Sequence, residues 1–191
     1  MTVRRVLAFA LLLLAVVTPA AAGDGYTRAD HAAFEDWLAF GDRRVTYRDL
    51  TQTLVEAGVD DVVPPWHLLR QGTDYANLGE PAFAMPPRDM WSEMVPTLQV
   101  LRDEVIPRVG PVEVLSAFRT ERYNARAGGA SGSRHKWFEA VDVVPVQPWT
   151  RSRLHETLLD LWSTAGPADA MGLGLYSGVR FHVDTHRFRR W

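Results

Sequence analysis

The sequence predicts an α+β domain, an antiparallel sheet with flanking helices, entered through a helical N-terminal extension. Apolar residues recur at steps of three and four between 30 and 57 and again between 87 and 105, which is the helical period. The period falls to two at 112–118, and 140–146 is β-branched, as strands are. At the end, 171–176 and 179–185 flank Ser177-Gly178, a two-residue hairpin turn that makes the joined strands antiparallel.

The first helix of the extension runs from Asp30 to Phe40, with Ala33, Phe34, Trp37 and Leu38 on one face and Gly41 as its stop. Tyr47 to Ala57 repeats the pattern through Leu50, Leu54 and Val55, and Gly58 ends it. Residues 59–87 are rich in proline and glycine and read as extended and turn-rich. Pro87 opens a long helix whose stripe is Trp91, Met94, Val95, Leu98, Leu101 and Val105; Pro96 must kink it or begin its second half. In the strand that follows, Val112, Val114 and Ser116 share one face and Glu113, Leu115 and Ala117 the other. Residues 120–126 form a short helical turn, 128–133 a loop of small residues, and 151–165 a helix with Leu154, Leu158, Leu161 and Trp162 inward.

Composition excludes several classes of protein. The chain has 191 residues, 47% of them hydrophobic and 23% charged, the balance of a globular domain. A formal net charge of -2 offers no chain-wide attraction for nucleic acid. There is no cysteine, so disulfides, thiolate metal sites and cysteine nucleophiles are impossible, and any metal must be held by carboxylates or by the six histidines. Residues 1–22 read as a secretory signal: Arg4 and Arg5, then the uncharged run Val6–Val17, then small residues up to Ala22. That run is shorter than the roughly 20 residues a bilayer span needs. The expected organisation is a signal peptide at 1–22, a helical and proline-rich extension at 23–85 and a main α+β domain at 86–191. The mature protein is expected to be periplasmic or secreted, with no stable membrane span.

Chemistry concentrates in the second half. Along the last strand Val179, Phe181 and Val183 alternate with Arg180, His182 and Asp184, so His182 and Asp184 project from the same side, about 7 Å apart at Cα. His186 lies about 13 Å from His182 along a straight strand, too far to share a metal with it. His135 and Asp142 are seven apart in sequence and cannot close on an ion from one helix. A loop carrying His135 and a strand carrying Asp142 can converge. Asp142, among Val141, Val143 and Val144, needs a partner: a metal, or a buried arginine or histidine. Two histidines and one aspartate suit zinc and leave a fourth position for water. Asp184 or Glu139 could then take that water's proton. Arg119, directly after the 112–118 strand, could bind a carboxylate or an oxyanion, or could simply form a surface ion pair. His31, His67 and His155 are read as surface or packing residues, with His67 able to reach a cleft.

These residues carry a resemblance. Ser133-x-His135-x-x-Phe138-x-Ala140-x-Asp142 resembles the Ser-x-His-x-x-Gly-x-Ala-x-Asp motif of the zinc D-Ala-D-Ala peptidase family, whose fold is shared with Hedgehog signalling domains. Ser116–Thr120 is similar to the arginine-bearing segment that precedes that motif. Gly172–Tyr176, Phe181–Thr185 and Arg190-Trp191 are similar to the closing hairpin of a bacterial murein-peptidase branch. The resemblance covers about residues 86–191. It implies zinc held by His135, Asp142 and His182, a substrate or oxyanion arginine at Arg119, and an exported peptidase that hydrolyses D-amino-acid-containing bonds of peptidoglycan peptides, as a carboxypeptidase or an endopeptidase. Three positions depart from the pattern. Val179 stands where many members have a catalytic acid, which leaves Asp184 as the substitute, or as the residue that orients His182. Phe138 replaces a glycine, where a ring could narrow the cleft or change the turn. His186 replaces another glycine. The alternative expectation is a catalytically impaired cell-wall-binding module on the same fold.

Overall fold

The computed structural model describes residues 26–191. The predicted signal segment, 1–22, lies outside the described residues. Two helices lead, α1 (His31–Leu38) and α2 (Arg43–Glu56). Asp30 caps α1 by accepting from Ala33 N, and α2 starts four residues earlier than its apolar pattern indicates. A 3-10 turn (Pro65–Leu69) and α3 (Tyr75–Leu78) interrupt the stretch expected to be extended.

A nearly continuous helical rod follows, made of a 3-10 segment (Arg88–Glu93), α4 (Met94–Val100), a π turn (Leu101–Val105) and α5 (Ile106–Val109). Pro96 sits in the first turn of α4, where its missing N–H is harmless, so it begins the second half of the rod. The π turn has its own cause. Pro107 cannot donate to the carbonyl one turn back and collides with it, and the widened turn, closed by Ile106 N to Leu101 O, makes room.

The sheet contains β1 (Val112–Ser116), β2 (Ala140–Pro145), β3 (Gly172–Leu175), β4 (Phe181–Asp184) and β5 (Arg189–Arg190), in the order β1-β2-β4-β3-β5. β1, β2, β4 and β3 are antiparallel neighbours, and only the short β5 runs parallel, beside β3. Helices α6 (Glu121–Arg126) and α7 (Arg151–Thr164) complete the fold, which is the expected α+β class with a helical N-terminal region. Val114, Val141, Val143, Leu173, Phe181 and Val183 face one core, which Leu154, Leu158 and Leu161 of α7 share. Phe34, Leu38, Leu50 and Leu54 of the first two helices belong to that same core. Among the described residues no helix is long and apolar enough to cross a membrane.

Two details of the pairing differ from strict alternation, and both shape the opposite face. Val114 pairs with Val143 but Ser116 pairs with Asp142, so β1 carries a bulge at Leu115. The bulge moves Ser116 off the face of Val112 and Val114, where alternation puts it, and onto the face of Asp142. The β3–β4 loop has three residues, Ser177 to Val179, closed by Tyr176 N to Arg180 O, instead of the two expected. The extra residue sets Gly172 opposite Asp184 and Gly174 opposite His182. A two-residue loop would have slipped the register by one and set Leu173 beside His182.

Candidate metal centre

The face away from the core carries Asp142 at the middle of β2, directly across from His182 on β4. His135 reaches the same point from a 3-10 turn (Arg134–Trp137). All three are buried, and one ligand atom from each lies within 4.8 Å of the others. Asp142 Oδ1 stands 3.2 Å from His135 Nε2 and 3.0 Å from His182 Nδ1. Donors that share one zinc ion at about 2 Å each are spaced about 3.3 Å apart.

The far nitrogen of each imidazole is already committed. His135 Nδ1 donates to Ala117 O at 2.8 Å, an acceptor with no proton of its own, so Nε2 carries the lone pair. That Nε2 is shut off from solvent and has no hydrogen-bond partner. Burial, helped by the positive Arg119, lowers the His135 pKa to about 4, so the ring is neutral. His182 Nε2 donates to Asp184 Oδ2 at 2.9 Å. Asp184 is ionised: burial opposes its charge, but His182, Arg189 and the His186 N–H pull its pKa down to about 2. His182 Nδ1 thus faces Asp142 together with His135 Nε2. Burial disfavours a charged His182, but its hydrogen bonds to Asp142 and Asp184 outweigh burial and raise its pKa. Asp142, for its part, is held well below the usual carboxylate range; burial opposes its charge and is overcome by His135, His182 and Arg119. Lone pairs and an anionic oxygen point at one another, and such a group demands a cation at its centre, a proton on His182 or a metal ion. The residues therefore fit a divalent metal.

A buried network holds this group. Arg119 Nη2 donates to Asp142 Oδ2 at 2.6 Å, and its Nε donates to Ser116 Oγ and to Gln71 O. Gln71 Oε1 accepts from Thr120, at the start of α6. Tyr176 donates its hydroxyl to Asp142 Oδ1 at 3.1 Å. Asp184 is 0% exposed and is bonded through both oxygens, to both Nη atoms of Arg189 and to His186 N as well as to His182. The glycines opposite clear the space it needs. A Cβ at Gly172 would fall 2.7 Å from Asp184 Cγ, and one at Gly174 would fall 2.8 Å from the Trp191 ring. The centre opens into two adjoining hollows. The larger, about 430 Å³, is bounded by His135, His182, Arg189 and Trp191; the smaller, about 180 Å³, by Ser116, Asp142 and Arg180. Arg119 and Tyr176 line both.

Of the residues singled out in the sequence, His135, Asp142 and His182 converge and Arg119 joins them. Asp184 lies behind His182. Glu139 turns aside to Arg134, 3.2 Å away, and His186, 3.6 Å away. Phe138 has a left-handed backbone, a conformation glycine adopts without strain, with φ 57°, and its ring is fully buried beside Phe118. The ring therefore does not narrow the cleft. The left-handed backbone costs about 1–2 kcal/mol, and burying the phenyl ring, worth about 3–5 kcal/mol on deletion, outweighs it. His31 packs on Trp66, and His67 lines a separate cavity with Pro64, Ile106 and Val146. Sequence reasoning missed Gln71, Tyr176 and Arg189. The alternate glycines of β3 were the available signal for the crowded strand beside them, whereas nothing local marks Gln71.

Against known proteins, residues 66–182 match the family described as Peptidase M15. No curated protein and no solved structure matches the chain. The match begins twenty residues before the stretch whose motifs are legible, at the segment that contributes Gln71. A family match over more than half of the chain, on a fold that brings His135, Asp142 and His182 together, shows that the chain belongs to the peptidase M15 family, the zinc D-Ala-D-Ala peptidases.

Proposed function

We propose that this protein is an exported zinc metallopeptidase, periplasmic or secreted, that hydrolyses D-amino-acid-containing bonds of peptidoglycan peptides. One observation carries the reading: His135 Nε2, His182 Nδ1 and Asp142 Oδ1 face one another after every other polar atom of the two imidazoles has been spent elsewhere.

His135, Asp142 and His182 would hold the zinc ion. Zinc supplies Lewis acidity, polarising a carbonyl and lowering the pKa of a bound water to about 7. The chain's own residues do the rest. Ala117 O and Asp184 fix the two imidazoles in the tautomers that leave the inner nitrogens free. Arg119, held by Asp142, Ser116 and Gln71, presents its remaining donors to the cleft, where they fit a carboxylate or a developing oxyanion. Tyr176, at the junction of the two hollows, steadies Asp142. In this reading Asp184 positions His182 and does not serve as the base, because neither of its oxygens is free.

The test is incubation of the purified protein with crosslinked and uncrosslinked muropeptides, before and after chelation and after zinc is restored. Cleavage that disappears with chelator and returns with zinc supports the proposal. Cleavage of no bond under any of these conditions would falsify it. The second reading, a wall-binding module that has lost catalysis, draws on the same buried Asp184 and on Val179, which packs toward the core where many members have an acid. His135→Ala separates the two: it abolishes turnover in a peptidase and leaves peptidoglycan pull-down intact in a binder.

A further inference from the structure

We propose that Arg180 is a specificity-determining residue, which together with Arg119 makes the smaller hollow a subsite for a substrate carboxylate. This rests on the peptidase reading above.

Arg180 shares its strand face with His182 and Asp184 and follows the three-residue loop at the mouth of the site. Around the centre, arginine is otherwise matched with carboxylate. Arg119 has Asp142, Arg134 has Glu139, and Arg189 has Asp184. Arg180 has none. Its guanidinium lies 4.0 Å above the centre of the Tyr176 ring and 5.5 Å from that of Tyr26. Its Nε is buried without a hydrogen-bond partner. Two aromatic rings hold the cation in place but give it no oxygen acceptor, so the buried Nε donor stays unpaired at the edge of a hollow.

The hollow itself says what fits. At about 180 Å³ it has room for a carboxylate on a short side chain. Arg119 and Arg180 both line it, with the hydroxyl-bearing Ser116, Tyr123 and Tyr176. Two acids touch it. Asp142 is engaged by Arg119 and by the metal group, and Asp74 lies at the exposed rim. An anion entering from the substrate would supply what Arg180 lacks. The hollow adjoins the metal group through Asp142, so the carboxylate belongs to a residue next to the bond that is cut. Its source is either the free α-carboxylate of a terminal D-residue or a side-chain carboxylate.

The experiment compares zinc-loaded full-length protein with R180Q and R180K on three matched peptides: one with both carboxylates free, one amidated at the α-carboxylate and one amidated at the side chain. Wild type should prefer the free carboxylate at one of the two positions, and that position identifies the source. R180Q should lose about ten- to a hundredfold of that preference, chiefly through KM, with R180K intermediate. In parallel, calorimetry on the metal-free proteins should show the free-carboxylate peptide binding R180Q more weakly than wild type. The same discrimination and the same binding in R180Q as in wild type would overturn the proposal. If wild type cleaves none of the peptides, the peptidase reading has failed while the metal-free binding still decides the subsite. If R180Q does not fold, R180K carries the comparison.

Discussion

Asp184 accepts from His182 Nε2 at 2.9 Å while both Nη atoms of Arg189 grip the same carboxylate, so this acid, two residues from His182, is turned away from the proposed zinc. Behind-the-ligand partners of this type usually govern metal affinity. Asp184→Asn should weaken zinc binding by about 10- to 100-fold, while kcat at saturating zinc falls much less. Chelator competition and zinc-saturated kinetics measure the two quantities separately. Unchanged affinity with a collapsed kcat would return Asp184 to the role of base.

Gly172 exists to leave room for that carboxylate. Gly172→Ala forces a Cβ against a charged group that Arg189 and His182 hold in place. The strain should destabilise the protein by about 1–3 kcal/mol and weaken zinc binding with it. Gly178→Ala, where the nearest atom to a new Cβ is 3.6 Å away, should do neither. Denaturant melts of the two variants check the contrast.

Zinc should bind with release of a proton. In the metal-free protein the hydrogen bonds to Asp142 and Asp184 outweigh burial and raise the His182 pKa, so zinc competes there with a proton. Metal must displace it, so zinc affinity should fall as pH falls. Titration calorimetry in buffers of different ionisation enthalpy measures the released proton, and no buffer dependence would contradict the assignment. Bound metal also stabilises the fold. At free zinc 100 times Kd the gain is about 2.7 kcal/mol, so chelation should lower Tm by roughly 5–10 °C.

His67 gives stability a second, metal-independent pH dependence. Burial, reinforced by Arg70 and Arg28, lowers its pKa from 6.5 to about 3. The folded protein thus keeps it neutral while the unfolded chain takes up a proton below pH 6.5. Between those values the unfolded state binds more protons, so stability rises with pH and is lost as pH falls from about 6.5 toward 3. His67→Gln removes this contribution. The difference in urea stability between wild type and variant should be larger at pH 7.5 than at pH 4.5, and an equal difference at both would exclude the effect.

The sequence by itself determined the α+β class, the helical rod and the candidates His135, Asp142 and His182. Each of these rests on local periodicity, or on residue types too expensive to bury without a partner. Even Phe138 was legible as a departure, although only packing shows that its ring enters the core. Tertiary structure decided the rest. A bulge at Leu115 moves Ser116 to the face of Asp142, a third loop residue sets glycines opposite His182 and Asp184, and Gln71 reaches Arg119 across 48 positions of chain. Strand register and long-range hydrogen bonds follow from how the whole chain closes on one core, and no window of neighbouring residues contains that information.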